Sequence, residues 1–418
     1  MKILHTADWH LGKRLHGHEL YEDQQTFLNW LLAFLQEEEI DHLIVAGDIF
    51  DTAYPSLQAQ EMYSNFLADA YKAEYPRQVI AVEGNHDGRS TLRVPKQLLK
   101  ALNTTVVCEI FEDKSEHLIP VHDEKGELGA YVVAVPFLRD QDLRKARLQD
   151  GEEERAEAIK NGIARYYEEV ALAVKQTNRE NKPVIATGHL FAQGASINPE
   201  ESERPIQMGH QAGVESSVFS EIFDYVALGH IHKAQKLTAK TDVRYSGSPY
   251  PLSFSERNYE HKMWVLEIGE NRIQSVEPAE VPSFRKLAQL KGTLDEVKEK
   301  AEKLAQKKSH FPNLVEVLVT EENYDPMLRG KIDEWKNAWQ ESQTHSRIAK
   351  YTIAFLNKSE TAAELYGEKM ISQEEFTARR IFEDRLSQEV KLDEAEKLKI
   401  REAFEQLSER TVQEFQPS

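Results

Sequence analysis

Four short clusters of acidic, amide and imidazole side chains stand out in the sequence, and the fourth is split in two. In chain order they are Asp8-Trp9-His10; Gly47-Asp48-Ile49-Phe50-Asp51; Gly84-Asn85-His86-Asp87; and Gly188-His189 together with Gly229-His230-Ile231-His232. Carboxylate oxygens combined with imidazole nitrogens favour Mn, Fe or Zn over Ca, and none of the clusters contains a thiolate. The clusters therefore predict a site for divalent transition-metal ions.

The number of candidate ligands suits two metal ions that share one bridging carboxylate. The candidates are Asp8, His10, Asp48, Asn85, His189, His230 and His232. In this interpretation Asp48 bridges the two ions. One site is completed by Asp8, His10 and His232, and the other by Asn85, His189 and His230. Two ions ~3.5–4 Å apart can activate a water and hold both the attacked phosphate and the leaving oxygen, so the hypothesis is two-metal hydrolysis.

Each of these residues would carry little weight alone. A lone histidine is usually a surface or core residue, and we assign no role to His5, His42, His117 or His210. An aspartate after a strand is often only the N-cap of a helix. The prediction depends on the whole set, which combines D-x-H, G-D-x-x-D, G-N-H-D and G-H-x-H at predicted strand ends.

Short apolar runs typical of buried strands precede these clusters. The predicted strands are Lys2–Ala7, His42–Ala46, Val79–Glu83, Val132–Val135, Val184–Thr187 and Tyr225–Leu228. Apolar residues at helical spacing predict helices over Tyr21–Glu39 and Ser56–Tyr71. This alternation predicts an α/β sheet covered on both faces. Because ligands bind beyond the carboxyl ends of strands in such sheets, the clusters can converge in space.

The pattern changes near Val281-Pro282-Ser283. A small α+β domain is predicted there, with the elements Arg285–Leu290 (strand), Leu294–Gln306 (helix), Leu314–Thr320 (strand), Asp325–Gln340 (helix) and Ile348–Phe355 (strand). From about Ser359 the chain reads as amphipathic helix, and Ser372-Gln373-Glu374-Glu375 fits a capping box. The apolar face of this tail packs either on a partner or on its own chain, and the pattern leaves both open.

Composition limits the class of protein. The 418 residues suggest two or three domains, and a net charge of −19 argues against a basic DNA-coating protein. Metal ions and a few local cations could still hold phosphate. The single cysteine, Cys108, cannot form an internal disulfide and is expected to be a buried structural thiol. We find no targeting segment and no apolar run long enough for a bilayer, so we expect a cytoplasmic protein without a membrane partner.

The four clusters resemble the calcineurin-like metallophosphoesterase superfamily, and the sequence around them resembles the bacterial SbcD family. The stretches that carry the likeness are His5–Gly12, Val45–Thr52, Ala186–Leu190, Ala227–His232, Tyr245–Pro249 and Pro251–Phe254. The resemblance implies a metallophosphoesterase β-sandwich flanked by helices over residues 1–280. It also implies a capping domain over residues 284–356 and a helical partner-binding tail over residues 360–418.

The same resemblance implies roles for individual residues. The seven candidate ligands match the family pattern without substitution. His86 matches the catalytic histidine, which would protonate the leaving oxygen or stabilise the transition state. Asp87 would hold the imidazole of His86 and favour its charged form.

The resemblance further implies a nuclease that uses two Mn²⁺ ions, with Fe²⁺ or Mg²⁺ as alternatives. It would act as a 3′-to-5′ exonuclease on duplex DNA ends and as an endonuclease on single strands and hairpins, in DNA repair and recombination. The family forms homodimers through helices that correspond here to Ser56–Tyr71 and Leu92–Leu102. Its tail helices bind SbcC, an ABC-type ATPase that would control access to the site.

Contacts to DNA and the substrate class stay open at this level. Lys13, Arg14 and Arg89 flank the metal motifs and are candidates for phosphate contacts, but solvated surface charges are an equal alternative. Protein phosphatases and small phosphodiesterases use the same metal centre, although the extra C-terminal residues argue against them. A DNA-tethering scaffold with a vestigial site is a third interpretation, and the intact ligand set argues against it.

Overall fold

The computed structural model describes residues 1–93, 96–143, 152–196, 213–306 and 310–356, with isolated helical positions between 386 and 404. Residues Met1–Leu356 form one compact unit, and Asn357–Ser418 form a second. Most of the predicted helical tail, including the capping box at Ser372–Glu375, lies outside the described residues. Among the helices that the structure describes, none is long and apolar enough to cross a membrane.

The strands begin and end close to the predicted runs. In chain order they are β1 (Lys2–Thr6), β2 (Arg14–Leu15), β3 (His18–Glu19), β4 (His42–Ala46), β5 (Gln78–Val82), β6 (Thr104–Val107), β7 (Leu118–His122), β8 (Leu128–Val133), β9 (Val184–His189), β10 (Tyr225–Gly229), β11 (Gln235–Lys236), β12 (Asp242–Tyr245), β13 (Lys262–Ile268), β14 (Ile273–Glu280), β15 (Leu287–Gly292), β16 (Asn313–Glu321) and β17 (Ser346–Phe355).

The helices connect and cover these strands. They are α1 (Tyr21–Glu37), α2 (Leu57–Lys72), α3 (Arg89–Leu92), α4 (Lys96–Ala101), α5 (Asp140–Leu143), α6 (Glu152–Thr177), α7 (Leu294–Ala305) and α8 (Leu328–Ser342). The helix predicted from Ser56 begins one residue later because the side chain of Ser56 is its N-cap and accepts from the backbone N–H of Ala59.

Two six-stranded sheets form a sandwich, in the orders β14-β13-β1-β4-β5-β6 and β11-β12-β10-β9-β8-β7. In the first sheet β1, β4, β5 and β6 run parallel, and in the second β8, β9, β10 and β12 do the same. Every residue of β4 is buried, as expected for a parallel strand covered on both faces. The predicted α/β sandwich flanked by helices is confirmed.

Three apolar layers hold the sandwich together. The layer between the sheets includes Ile44 and Ile80 from one sheet and Ile185 and Tyr225 from the other. Helices α1 and α2 cover the outer face of the first sheet, and α6 covers that of the second. Each fully buried large apolar side chain contributes about 1.5–3 kcal/mol. This rigid double sheet sets the positions of the loops at its edge.

The helix predicted over Leu92–Leu102 is not continuous. Leu92 ends α3, and the following Arg93 leaves the helical region with ψ of 55°. The chain is helical again over Lys96–Ala101. The break therefore begins at Arg93, and residues 94–95, between the two helices, lie outside the described part of the chain.

A small α/β unit, residues 284–356, contains the sheet β15-β16-β17. All three strands are parallel, with α7 and α8 in the two crossovers. The sequence predicted α+β here, but parallel neighbours need crossover connections and the helices supply them. The predicted domain division between residues 280 and 284 stays a prediction.

The small unit contacts the sandwich through two features. Leu314 of β16 shares a buried apolar cluster with Leu15, Leu20 and Phe254. Arg285 donates from Nε to Asp23 Oδ1 and from Nη2 to Asp23 Oδ2, each at 2.9 Å. A bidentate guanidinium–carboxylate pair fixes orientation as well as distance. The small unit is therefore seated on the loop that follows β1 and on helix α1.

Candidate metal centre

All the candidate ligands lie at one edge of the sandwich. They follow or end β1, β4 and β5 of the first sheet and β9 and β10 of the second. The loop after β1 pairs with the loop after β4, because the N–H groups of Asp8 and His10 donate to the carbonyl oxygens of Gly47 and Asp48, each at 3.0 Å. Backbone pairing therefore places the first two clusters side by side.

Four candidate ligands have a left-handed backbone conformation. The φ angles are 55° at Asp8, 44° at His10, 51° at Asp48 and 98° at His230. Such conformations cost about 1–3 kcal/mol each for a non-glycine residue and persist only where the surroundings enforce them. Their concentration on the ligands indicates that the fold holds this edge in a preset geometry.

Two glycines allow the loops to approach. A Cβ atom on Gly84 would lie 2.2 Å from Asp48 Oδ1, and one on Gly229 would lie 2.1 Å from the carbonyl oxygen of Ala46. Any side chain at either position would push the loop that carries the neighbouring ligand away from Asp48. The glycines beside the motifs are therefore needed for close contact between the clusters.

Asp48 lies between two groups of ligands. Its Oδ2 atom is 3.2 Å from His189 Nε2 and 3.5 Å from His10 Nε2. The ligand atoms of Asp8, Asp48 and His189 lie within 4.8 Å of one another, and so do those of Asp8, His10 and His232. This placement suits the bridging position that the sequence predicted for Asp48.

Asn85 joins the second group. Its Oδ1 atom lies 3.0 Å from His189 Nε2 and 2.9 Å from His230 Nδ1. The structure thus brings together all seven residues that the sequence singled out as ligands.

The donor atoms fit a divalent cation. Asp8 Oδ2 and His10 Nε2 are buried without a hydrogen-bond partner in the part of the chain that the structure describes. A buried polar atom without a partner costs about 1–3 kcal/mol. An anionic oxygen and an imidazole nitrogen with free lone pairs, turned toward the same space, are what a metal ion such as Mn²⁺ binds.

Three imidazoles are oriented from behind. The Nδ1 atoms of His10, His189 and His232 face the Asp51 carboxylate at 3.3 Å, the Ala46 carbonyl at 2.9 Å and the Glu256 carboxylate at 2.9 Å. Each acceptor holds the proton on Nδ1 and leaves Nε2 available. Asp51 and Glu256 were not predicted as site residues. Asp51 had a signal in G-D-x-x-D, whereas Glu256 had none because only folding brings it to His232.

The electrostatics of the cluster favour a positive charge. Burial alone would lower the pKa of His189, but the nearby Asp48 carboxylate raises it to about 9. Burial likewise opposes protonation of His232, yet Glu256 raises its pKa to about 9. His230 behaves differently, since burial and the charge on His189 lower its pKa to about 3. Without metal, the imidazoles of His189 and His232 are therefore protonated at neutral pH, and a metal ion would replace one proton on each ring.

The predicted pairing of Asp87 with His86 is corrected by the structure. The Nδ1 atom of His86 lies 2.9 Å from the carbonyl oxygen of Asp51. The Asp87 carboxylate instead accepts from the backbone N–H groups of Gly84 at 2.9 Å, Phe50 at 2.9 Å and Ile49 at 3.2 Å. Burial, followed by the charge of Asp48, raises the pKa of Asp87 to about 7. Asp87 therefore joins two loops, and Asp51 orients His86.

The three candidate DNA contacts have different surroundings. Lys13 Nζ is 3.0 Å from Asp51 Oδ1, beside the metal ligands. Arg14 pairs with Glu19 at 2.6 Å on the exposed hairpin β2–β3. Arg89 pairs with buried Glu83 at 3.1 Å and also with Asp142. Two carboxylates thus hold Arg89, and a structural role competes with a phosphate contact.

Comparison with known proteins gives matches along both parts of the compact unit. Residues 1–234 match a family model described as calcineurin-like phosphoesterase, and residues 283–390 match one described as type 5 capsule protein repressor C-terminal domain. A protein of Escherichia coli (strain K12) named as the D subunit of the nuclease SbcCD is 31% identical over 405 residues, covering 97% of this chain and 97% of the relative.

Two further relatives carry the same name. That of Rhodobacter capsulatus is 36% identical over 312 residues, covering 73% of this chain and 76% of the relative. That of Staphylococcus epidermidis is 28% identical over 312 residues, covering 74% of this chain and 78% of the relative. The likeness therefore extends well beyond the metal-binding motifs.

Proposed function

Because the chain belongs to the SbcD family of calcineurin-like phosphoesterases, we propose that it is a metal-dependent DNA nuclease. It acts as the nuclease component of an SbcCD-type complex and hydrolyses phosphodiester bonds. The observation that supports this most directly is the position of Asp48, with one carboxylate oxygen facing both His189 and His10. A carboxylate in that position can be shared by two ions.

The chemistry divides between the metal ions and the protein. Asp8, His10 and His232 would hold one ion, and Asn85, His189 and His230 the other, with Asp48 shared. Two bound divalent ions supply Lewis-acid stabilisation of the phosphate and a nucleophile at neutral pH. We propose Mn²⁺ as the physiological ion, with Fe²⁺ or Mg²⁺ as alternatives, since the donor set suits a transition metal.

His86 is proposed as the general acid. Its Nδ1 faces the Asp51 carbonyl at 2.9 Å, which turns Nε2 outward, and its ring centroid lies 4.8 Å from that of His10. The side chain is half-buried, so it can reach both the cluster and a substrate. From Nε2 it can give a proton to the leaving oxygen. Asp87 contributes indirectly: it fixes the backbone of the loop that carries His86 and does not contact the imidazole.

An acidic chain is expected to bind DNA weakly by itself, and we propose that a partner protein supplies further DNA contacts. Lys13, Arg14 and Arg89 are the proposed phosphate contacts, and Lys13 has the best support because its ion-pair partner Asp51 also bonds His10. With a net charge of −19, the chain needs help from metal ions and from a second protein. That protein is proposed to be an SbcC-like ABC ATPase bound through residues 360–418.

The finer activities are carried over from the family as proposals. They are 3′-to-5′ exonuclease action on duplex ends, endonuclease action on single strands and hairpins, and a role in DNA repair and recombination. A homodimer and a cytoplasmic location are proposed on the same basis. Leu57 of α2 and Leu98 of α4 are 70% and 56% exposed, so both are accessible to a second copy of the chain.

The test is cutting of a duplex with one labelled end by the purified chain, with Mn²⁺, with Mg²⁺ and with chelator. We expect Mn²⁺-dependent cutting that disappears in Asp48→Ala and persists in Asp41→Asn, a matched change at a buried carboxylate bound to Arg77. An inactive chain is assayed again with its ATPase partner and ATP. Cleavage of bis(p-nitrophenyl) phosphate without cleavage of DNA in either assay would contradict the nuclease proposal.

A further inference from the structure

A buried carboxylate behind the metal centre contacts both a ligand and a neighbouring loop. Glu256 is 1% exposed. Its Oε1 atom accepts from His232 Nδ1 at 2.9 Å and from Ser253 Oγ at 3.1 Å. Its Oε2 atom accepts from the Leu252 N–H at 2.9 Å and from Ser248 Oγ at 3.3 Å. The Leu252 N–H can only donate, and the two hydroxyl groups and the imidazole can each donate as well, so the surroundings suit a group that only accepts.

We propose that Glu256 is a positioning residue that keeps the proton of His232 on Nδ1 and thereby reserves Nε2 for a metal ion. This inference rests on the proposed metal centre, but not on DNA being the substrate. Once the imidazole has lost a proton to bind a metal ion, it carries one N–H, and the hydrogen-bond partner of each ring nitrogen decides which nitrogen keeps that proton. An ionised carboxylate cannot donate, so the N–H must face it.

The loop that carries Glu256 is held from its far side. Phe254 is 4% exposed and packs with Leu15, Leu20 and Leu314, and the ring of His16 stacks on it at a centroid distance of 5.7 Å. Leu252 belongs to the core beneath the first sheet. Glu256 is therefore fixed by apolar packing before any metal binds, as a residue must be if it is to orient another.

The amide variant separates this role from simple filling of space. Glu256→Gln keeps size and shape, but its NH₂ group must face either the Leu252 N–H or His232 Nδ1. The Leu252 N–H has no lone pair to accept with. The NH₂ group is therefore expected to face His232, which accepts on Nδ1 and moves its own proton to Nε2. In that tautomer Nε2 of His232 carries a proton and cannot bind a metal ion.

The experiment is calorimetric titration of the metal-free full chain with Mn²⁺, comparing wild type, Glu256→Gln, His232→Gln and the double variant. We expect Glu256→Gln to weaken one of two binding events by about 10–100-fold, as loss of an outer-shell partner typically does. The double variant should bind no more weakly than His232→Gln, because both changes act through one nitrogen. A purely structural Glu256 would instead give additive losses at both binding events.

Glu316→Gln is the matched control, since Glu316 is a buried carboxylate of β16 that pairs with Gln289 and Lys350. It should leave both binding events unchanged. Unaltered Mn²⁺ binding in Glu256→Gln, with one event lost in His232→Gln, would overturn the proposal. Two intact binding events in a wild-type chain that cuts no DNA would count against the nuclease function alone.

A measurement on the wild-type chain guards against a variant that fails to fold. Long-range ¹H–¹⁵N NMR of the Zn²⁺-loaded chain, with the His232 signals assigned by their loss in His232→Gln, reports which ring nitrogen carries the proton. We expect the proton on Nδ1 and the metal on Nε2. The reverse assignment would refute the role given to Glu256.

Discussion

The backbone N–H of His86 donates a 2.8 Å hydrogen bond to Oδ1 of Asp48, whose other oxygen faces the ligand histidines. One carboxylate therefore holds the loop of the proposed general acid and lies between the two ligand groups. A change at Asp48 should disturb both metal binding and the placement of His86. A change at the His86 side chain should leave the carboxylate in place.

Asp48→Ala is expected to lose metal and activity together. Since loss of a partner behind a ligand already costs about 10–100-fold in metal affinity, loss of the shared ligand should cost more than about 100-fold. Metal content after dialysis against Mn²⁺, measured by mass spectrometry, gives the answer directly. Retention of two ions per chain would refute the bridging assignment.

His86→Ala should cut poorly while keeping its metal. General acid catalysis contributes about 10²–10⁴-fold, so single-turnover cleavage should fall by that factor with Mn²⁺ and DNA affinity unchanged. His122, an exposed histidine on β7, offers a matched His→Ala control. If His86→Ala cleaves at the wild-type rate, the histidine has no catalytic role.

Metal binding should strengthen as pH rises toward about 9. The pKa values of His189 and His232 lie near 9 without metal because carboxylates stabilise their charged forms against burial. Each must lose its proton before Nε2 can bind an ion, so protons compete with Mn²⁺ below pH 9. Titrations in buffers of different ionisation enthalpy would measure the protons released. A pH-independent affinity between pH 7 and about 9 would contradict the electrostatic description.

The raised pKa values of His189 and His232 also predict how the stability of the metal-free chain depends on pH. A histidine whose folded pKa is about 9, above the ordinary 6.5, stabilises the fold fully below pH 6.5. That contribution is lost as the pH rises through 9. The melting temperature without metal should therefore fall between neutral pH and pH 9, and Mn²⁺ should restore it. An unchanged melting curve over this range would argue against charged His189 and His232.

Lys13→Ala should weaken binding to DNA of any base sequence by a similar amount. A phosphate contact contributes about one unit to the slope of log affinity against log salt, and its loss should remove that unit. Arg89→Ala should also lower the melting temperature, because it removes one of the two arginines that pair with buried Glu83. Equal salt slopes in wild type and Lys13→Ala would place Lys13 outside the DNA path.

The strands, and the convergence of the candidate ligands at their ends, could be predicted because their signals are local. An apolar run such as His42–Ala46 followed by Gly47 and Asp48 specifies a buried strand and what lies at its end. The role of Asp87 was mispredicted because neighbours in sequence need not face each other in a loop, and its carboxylate turns toward the backbone. Glu256 lies 24 residues from His232, and no local pattern connects them.

The parallel arrangement of the strands in the small sheet could not be predicted from the sequence either. Its strand and helix runs were visible, but the pattern of Leu314–Thr320 does not distinguish a parallel from an antiparallel neighbour. A break within the helix predicted over Leu92–Leu102 was predictable in principle, since Pro95 lies inside that range and a proline disrupts a helix interior. In the small sheet, the local sequence specifies the strands and helices but not the relative direction of neighbouring strands.

The apolar cluster of Leu15, Leu20, Phe254 and Leu314 decides where this chain can be shortened. Ending it before residue 284 would remove Leu314 and so expose part of the apolar surface of Leu15, Leu20 and Phe254. The loop that supports Glu256 would then lose one of its apolar contacts and keep the packing of Leu252. We therefore expect a fragment that keeps every candidate metal ligand but ends before residue 284 to bind metal less tightly than the full chain. In that case the small unit contributes to metal binding although it carries none of the candidate ligands.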